Sequence, residues 1–183
     1  GIGLGTAMIT FIWSITNTTA AITLLCLAAM PFITALLGFL FLKEKISVNV
    51  WIAIFVASIG VAIMAIGSSS LGSINGLIFG LASALGFSIF SVSLRWRKET
   101  PKFTTVALAG LFCCLFSLVV ILQNDLNFLS SSKNEGLFAL HGTFVCLGLI
   151  LYSIGSKAIP AAELTLLSLT EVIGGIFWVW IPI

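Results

Sequence analysis

Charged residues are scarce in this chain of 183 residues: eight are Lys or Arg and six are Asp or Glu, 8% in all. A typical soluble domain is about 25% charged and roughly 45–50% apolar, whereas 60% of these residues are hydrophobic. So few charges could not cover the surface of a water-soluble globule. Disorder is excluded as well, because disordered chains have many charges and few apolar side chains. The composition therefore predicts an integral membrane protein.

Cysteine and histidine are also few, at four residues and one residue. The cysteines lie in apolar stretches with neither C-x-x-C spacing nor histidine partners, which predicts no metal site and no disulfide framework. The sequence contains no phosphate loop, catalytic triad or cofactor fingerprint, so we expect neither an enzyme nor a bound cofactor. The basic residues at 95–102 lie beside a helix end, where they suit lipid headgroups and chain orientation better than nucleic acid.

Long uncharged stretches lie between the charges. They cover 1–42, 46–94, 103–124 and 136–156. A helix needs about 20 apolar residues to cross a bilayer, and turn-forming residues at 17–19 and 67–73 divide the first two stretches. Since these stretches do not alternate as barrel strands do, they predict an all-α bundle. We expect about seven transmembrane helices, at 2–16, 20–42, 48–66, 74–94, 103–122, 136–157 and 162–183.

The basic residues fall almost entirely on one side of this predicted topology. Seven lie in loops on one face, namely Lys43, Lys45, Arg95, Arg97, Lys98, Lys102 and Lys157. Lys133 alone lies on the other face. The positive-inside rule assigns the first face to the cytoplasm. Short loops and the lack of a targeting signal favour a multi-pass protein of the bacterial inner membrane.

Two similar strings occur far apart in the chain. An Ala-Ala pair opens a predicted helix at Ala20 and again at Ala161, and Thr-Leu-Leu follows at Thr23 and at Thr165. The first helix enters the membrane from outside and the second from inside, as related segments do in inverted-repeat transporters. Chance similarity between strings rich in Leu and Ala is the alternative.

With the mid-helix Pro31 and the turn at 42–45, these strings resemble the EamA-type repeat of the drug/metabolite transporter superfamily. The fourth helix of that repeat carries a Pro and ends in a Gly-Glu-Arg-like turn. Here Lys43 replaces the Gly, and Glu44 is retained. The second copy has Glu171-Val172 where such repeats often show Glu-Pro.

The resemblance implies ten helices in two inverted five-helix repeats. On that template the chain is an excerpt covering about helices three to nine, with 1–72 from the first repeat and 73–183 from the second. It also implies a transporter of small organic metabolites, an exporter of amino-acid-like or drug-like solutes, that works by alternating access. Proton coupling and a homodimer stay open. The alternative is a non-transporting membrane scaffold or assembly subunit.

Glu171 is the most informative side chain, because ten residues into its helix it would lie about 15 Å deep. An acid there costs about 2.5–3.5 kcal/mol, so we expect it to bind a cationic group or relay protons, unless it only bonds a neighbouring helix. Pro31 frees a carbonyl near Leu27, either for substrate or as a packing kink. The other residues expected to line a cavity are Trp13, Asn17, Ser83, Tyr152 and Thr170.

Small residues recur at every fourth position at the start of the fourth predicted helix. They are Gly72, Gly76, Gly80, Ala84 and Ser88. Such a stripe lets another helix approach closely. We expect the partner to be a helix of the same chain, and a second copy is the alternative.

Overall fold

The computed structural model describes residues 1–44, 47–67, 73–96, 101–123, 132–171 and 174. All regular structure within these ranges is helical, which confirms the predicted all-α class. The elements are α1 (Ile2–Asn17), α2 (Ala20–Leu27), α3 (Met30–Leu37), a π-helical segment (Gly38–Leu42), α4 (Val48–Gly67), α5 (Ile74–Trp96), α6 (Lys102–Gln123), α7 (Ser132–Gly155) and α8 (Ala161–Ser168). Outside the described residues lie Gly72, Lys45, Arg97, Lys98 and half of the predicted last helix, at 172–173 and 175–183.

Four helical stretches among the described residues are long and apolar enough to cross a membrane. They are Ile22–Leu42, Ile74–Trp96, Phe103–Gln123 and Asn134–Gly155. α1 is apolar as well but has only 16 residues. Several apolar spans in one chain make this a multi-pass membrane protein, as its composition predicts. The count of seven spans and the inverted repeats stay predictions.

The helix predicted over 20–42 is broken in the middle. α2 ends at Leu27, because Pro31 has no N–H to donate to the Leu27 carbonyl. The amide of Ala29 turns back to the Cys26 carbonyl at 3.1 Å. α3 then starts at Met30, which places Pro31 in its first turn, where a missing N–H costs no helical hydrogen bond. The predicted proline effect therefore takes the form of a tight turn between two eight-residue helices.

A second irregularity closes this span. The π-helical segment ends at Leu42, and the next residue, Lys43, has a φ of 53° in the left-handed region. That conformation brings the backbone amide of Glu44 back to the Gly38 carbonyl at 3.3 Å. A residue with a Cβ there costs roughly 1–2 kcal/mol, and the EamA-type resemblance implies Gly at this position. Lys43 thus adopts a conformation that suits the glycine it replaces.

α5 is the central helix of the described bundle, and it packs on α1, α2, α3 and α8. Its small residues make the close approach. An added Cβ on Gly86 would lie 2.8 Å from the carbonyl oxygen of Gly3, and one on Gly76 would lie 2.7 Å from Cβ of Thr18. One on Gly80 would lie 2.8 Å from Cβ of Cys26. The α1, α2 and α5 backbones could not approach this closely around larger residues.

The other helices surround this centre. α6 lies on α1 and buries Val106 and Ala109, while α7 exposes most of its side chains. On the other side, α3 and α8 pack on each other, and Ala35 and Ala162 form a small core with Ile54 of α4. Thus α5, which the sequence assigns to the second repeat, packs mainly on helices of the first.

Candidate functional site

Near the start of α5, buried hydroxyl groups join three helices. Ser14 of α1 donates to the Gly76 carbonyl at 2.8 Å, and its oxygen lies 2.9 Å from the Thr23 hydroxyl of α2. Both hydroxyl-bearing residues are 0% exposed. Neutral hydrogen bonds therefore close this end of the described bundle.

In the middle of α5, two serines contact the helices that face it. Ser83 is buried and donates to the Ala7 carbonyl of α1 at 2.8 Å. Ser88 donates to the Ala84 carbonyl of its own helix at 2.8 Å and to the Met30 carbonyl at 3.2 Å. Met30 begins α3, directly before the buried Pro31. The break in the 20–42 span thus lies against a hydroxyl of the central helix.

Farther along α5, Tyr152 joins α7 to the centre. Its hydroxyl lies 2.6 Å from that of Ser91, and either oxygen can donate. The Tyr152 ring centroid lies 5.2 Å from that of Phe87, edge on, and 6.1 Å from that of Phe90, stacked. Such pairs add to the stability given by buried area. Tyr152 is therefore the aromatic anchor of an otherwise exposed helix.

Trp13 and Asn17 lie toward the other end of α5. The Trp13 ring makes edge contacts with Phe79 of α5 at 5.2 Å and Phe116 of α6 at 5.7 Å, and 39% of the residue is exposed. The side-chain amide Nδ2 of Asn17 donates to the Trp13 carbonyl at 2.8 Å. Asn17 thus bonds the last turn of its own helix.

Sequence reasoning missed a charged cluster at the far end of α5. Arg95 donates from Nε to Oε1 of Glu44 at 2.8 Å, and from Nη1 to the carbonyls of Lys157 at 2.8 Å and Ser156 at 3.4 Å. The two side chains are only 16% and 22% exposed. Glu44 and Arg95 lie at the ends of helical segments that the predicted topology places on the same face of the membrane. That shared face is the sequence signal from which their contact could have been inferred.

Thr170 and Glu171 lie just beyond α8 and are exposed. The Thr170 hydroxyl donates to the Leu167 carbonyl at 2.8 Å, a bond within its own turn. Several residues around Glu171, including 172–173 and 175–183, lie outside the described residues. The cavity expected at Glu171 therefore stays a prediction.

α2 and α8 share a geometry. Each has eight residues and starts at an Ala-Ala pair. Each ends at a right-handed residue of nearly the same conformation: Ala28 has φ −66° and ψ −11°, and Leu169 has φ −65° and ψ −15°. After Leu169 the chain is helical again at Thr170 and Glu171. The two similar strings thus form helices that break at corresponding places.

The residues expected to line one cavity are spread along α5. Trp13 lies at Phe79, Ser83 lies mid-helix, Pro31 lies near Ser88, and Tyr152 lies at Ser91. From Phe79 to Ser91 the helix rises about 18 Å. These groups therefore form a row along the axis of the central helix but lie on different sides of it, since Ser88 is about half a turn around from Phe79.

Two other features lie apart from this row. A cleft of about 600 Å³ among α1, α5 and α6 is lined mainly by apolar residues, and Ser93 is the one residue with a polar side chain in its lining. Across the described part of the chain, no three His, Cys, Asp or Glu residues come together as metal ligands, and the four cysteines are free thiols. Neither feature adds chemistry to the row.

Comparison with protein families decides the class. Residues 1–66 match the EamA-like transporter family. Over these residues the chain is similar to an EamA-like transporter domain. The match covers α1 to α4 and so includes the break at Pro31 and the turn around Lys43. No curated protein and no solved structure matches the chain.

The predicted resemblance is confirmed over this range. Members of the EamA-like family are membrane transporters of small solutes and not enzymes, and the family does not specify the substrate. The row along α5 thus has one flank inside the matched residues 1–66 and the other outside them.

Proposed function

We propose that this chain belongs to a secondary transporter that exports small organic metabolites, amino-acid-like or drug-like solutes, by alternating access. The observation that carries the proposal is the EamA-like match over 1–66, which contains the helix break at Pro31. Broken helices in transporters present polar backbone groups to substrate near the middle of the membrane. Here the break faces the hydroxyl of Ser88.

The groups along α5 favour a solute with both polar and apolar parts. Hydroxyls and carbonyls at the break can bind amino, hydroxyl or carboxyl groups. The aromatic groups around Trp13 and Tyr152 can hold an apolar or cationic part. Together these groups suit an amino-acid-like or drug-like solute.

We further propose that 1–72 and 73–183 belong to two inverted five-helix repeats. The matching lengths and breaks of α2 and α8 support the proposal. α2 starts at the end of the bundle that holds Ser14, and α8 starts near the opposite end, beside the carbonyl of Lys157 that Arg95 binds. By the positive-inside rule, this second end faces the cytoplasm of a bacterial cell.

Two parts of the proposal concern coupling and assembly. We propose that Glu171 binds a cationic group or a proton in the membrane. The described part of the small-residue stripe, at Gly76, Gly80, Ala84 and Ser88, is buried by helices of the same chain. A homodimer would therefore use another face.

Flux measurements on the whole protein in proteoliposomes test this function. We expect outwardly directed flux of a labelled amino acid or a cationic dye, driven by a pH gradient. Glu171→Gln should lower that flux at least roughly tenfold if Glu171 couples transport. Glu163→Gln is the matched control, since Glu163 lies in the first turn of α8 at the helix end.

The outcomes separate the alternatives. Equal flux and equal pH dependence in the wild type and Glu171→Gln would remove Glu171 from the mechanism. Absence of flux for a broad panel of solutes, from a protein that keeps its fold, would favour a scaffold or assembly subunit.

A further inference from the structure

We propose that Arg95, Glu44 and the carbonyls of Ser156 and Lys157 form a latch that holds the transporter closed on one face. The proposal rests on the alternating-access function given above. The ion pair between Arg95 and Glu44 must break when this end of the bundle opens.

The latch joins three separate pieces of the chain at one end. Glu44 follows the π-helical segment, Arg95 lies in the last turn of α5, and Ser156 and Lys157 follow α7. One guanidinium reaches all of them, with Nε on the carboxylate and Nη1 on the two carbonyls. Among the described side chains this is the one ion pair. A single side chain thus ties together the ends of three helices.

The latch also crosses between the two proposed halves. Glu44 lies within the matched residues 1–66, whereas Arg95 and the carbonyls of Ser156 and Lys157 lie in the second half, so the Arg95–Glu44 ion pair is the part of the latch that crosses. Alternating access moves one half against the other. Contacts across the halves at one face must therefore part whenever that face opens.

The backbone turn before Glu44 positions its carboxylate for the ion pair with Arg95. The left-handed Lys43 reverses the chain, and the amide of Glu44 bonds the Gly38 carbonyl. The carboxylate is thereby placed beside α5. Both charged side chains keep some exposure to water, 16% and 22%. Water can hydrate the separated charges, so the pair can break at a modest cost.

A buried hydroxyl beneath the latch can report its opening. Ser153 lies one turn before Lys157 on α7 and is 0% exposed. Its hydroxyl has no hydrogen-bond partner within the described part of the chain. A Ser153→Cys change alters little volume and places a thiol where reagent enters only when this end opens.

The native Cys26 supplies an internal control. It is buried on α2 beside Gly80, toward the opposite end of α5. In a protein with Cys113, Cys114 and Cys146 changed to Ser, the thiols at 26 and 153 can be followed separately by peptide mass. Unfolding would label both positions, whereas opening of the latch would label position 153 alone.

The experiment measures labelling by a membrane-impermeant maleimide, applied from either side of vesicles that hold the whole protein. We expect Arg95→Gln and Glu44→Gln each to raise the labelling rate at position 153 roughly two- to fivefold, the range expected for a partly exposed ion pair. The double variant should exceed the larger single effect only slightly, because both changes remove one interaction. Lys157→Gln is the matched control: it removes a charge at the same place, yet the latch uses only the Lys157 backbone.

Several results would overturn the latch. They are an unchanged rate at position 153 in both single variants, an equal rise in Lys157→Gln, and a parallel rise at Cys26. Labelling needs no substrate, so it is independent of the flux measurements. Absent flux would count against the proposed function, and unchanged labelling would count against the latch alone.

Discussion

α5 and α7 have 23 and 24 residues, and their most apolar stretches have the same mean hydropathy, yet half of that stretch is buried in α5, against 6% in α7. Both helices also contain three or more glycines. The glycines of α5 meet neighbouring atoms, whereas Gly136, Gly142 and Gly148 of α7 have open space around them. Hydropathy therefore predicts that a helix crosses the membrane, but it does not predict which other helices it contacts.

The spacing of small residues separates the two helices. Gly76, Gly80, Ala84 and Ser88 recur every four residues and so lie on one face of α5. Gly136, Gly142 and Gly148 of α7 recur every six residues, which puts successive ones on different faces. In a bilayer, where lipid is as apolar as Leu, close backbone approach and hydrogen bonds drive association. α5 has both, and α7 has mainly the Tyr152 contact.

The largest expected difference in stability is between a methyl group added to α5 and one added to α7. Gly86→Ala should destabilise the protein by about 2–3 kcal/mol, because the new Cβ meets backbone atoms that cannot move aside. It would lie 2.8 Å from the Gly3 carbonyl oxygen and 3.1 Å from the Ala7 nitrogen. Unfolding by detergent denaturant, followed by circular dichroism, measures the change.

Gly142→Ala is the control for that comparison. Its Cβ would meet no atom within 4 Å, and Ala is the better helix former. We expect no loss of stability. Equal destabilisation by both changes would contradict the contrast between the two helices.

The sequence predicts the helices well because their ends follow composition. The predicted 2–16, 74–94 and 103–122 differ from α1, α5 and α6 by two residues or fewer at each end. α7 starts four residues before the predicted 136, because polar residues continue the helix beyond the apolar core. Hydropathy marks the membrane boundary, and a helix can extend past it.

The sequence does not predict which groups meet. The stripe on α5 identified a packing face, since small residues at a fixed period imply close approach. The Arg95–Glu44 pair joins residues 51 apart, and no local pattern encodes that contact. The break between α2 and α3 was expected from Pro31. The left-handed conformation of Lys43 was not expected, because the sequence has no glycine at that position.

A smaller loss of stability should follow from removing a buried hydroxyl that joins helices, and a smaller one still from removing an exposed hydroxyl on α7. Ser14→Ala deletes bonds to the Gly76 carbonyl and the Thr23 hydroxyl, and it leaves those buried groups without that partner. We expect a loss of about 1–2 kcal/mol. Thr143→Ala, on the exposed α7, removes only a bond to the Ala139 carbonyl of its own helix and should change stability by less than about 0.5 kcal/mol. The same unfolding measurement compares them, and a larger loss from Thr143→Ala would reverse the expected order.

The smallest effect should come from the hydrogen bond that joins the two helices. Tyr152→Phe removes the hydroxyl that lies 2.6 Å from Ser91 but keeps the ring contacts with Phe87 and Phe90. Interhelical hydrogen bonds in membrane proteins average about 0.6 kcal/mol. A double-mutant cycle with Ser91→Ala should give a coupling energy near that value, because each change alone removes the same bond. A coupling near zero would mean that aromatic packing alone holds α7 to α5, and one near 2 kcal/mol would mean that the hydroxyl pair is the main attachment of an exposed helix.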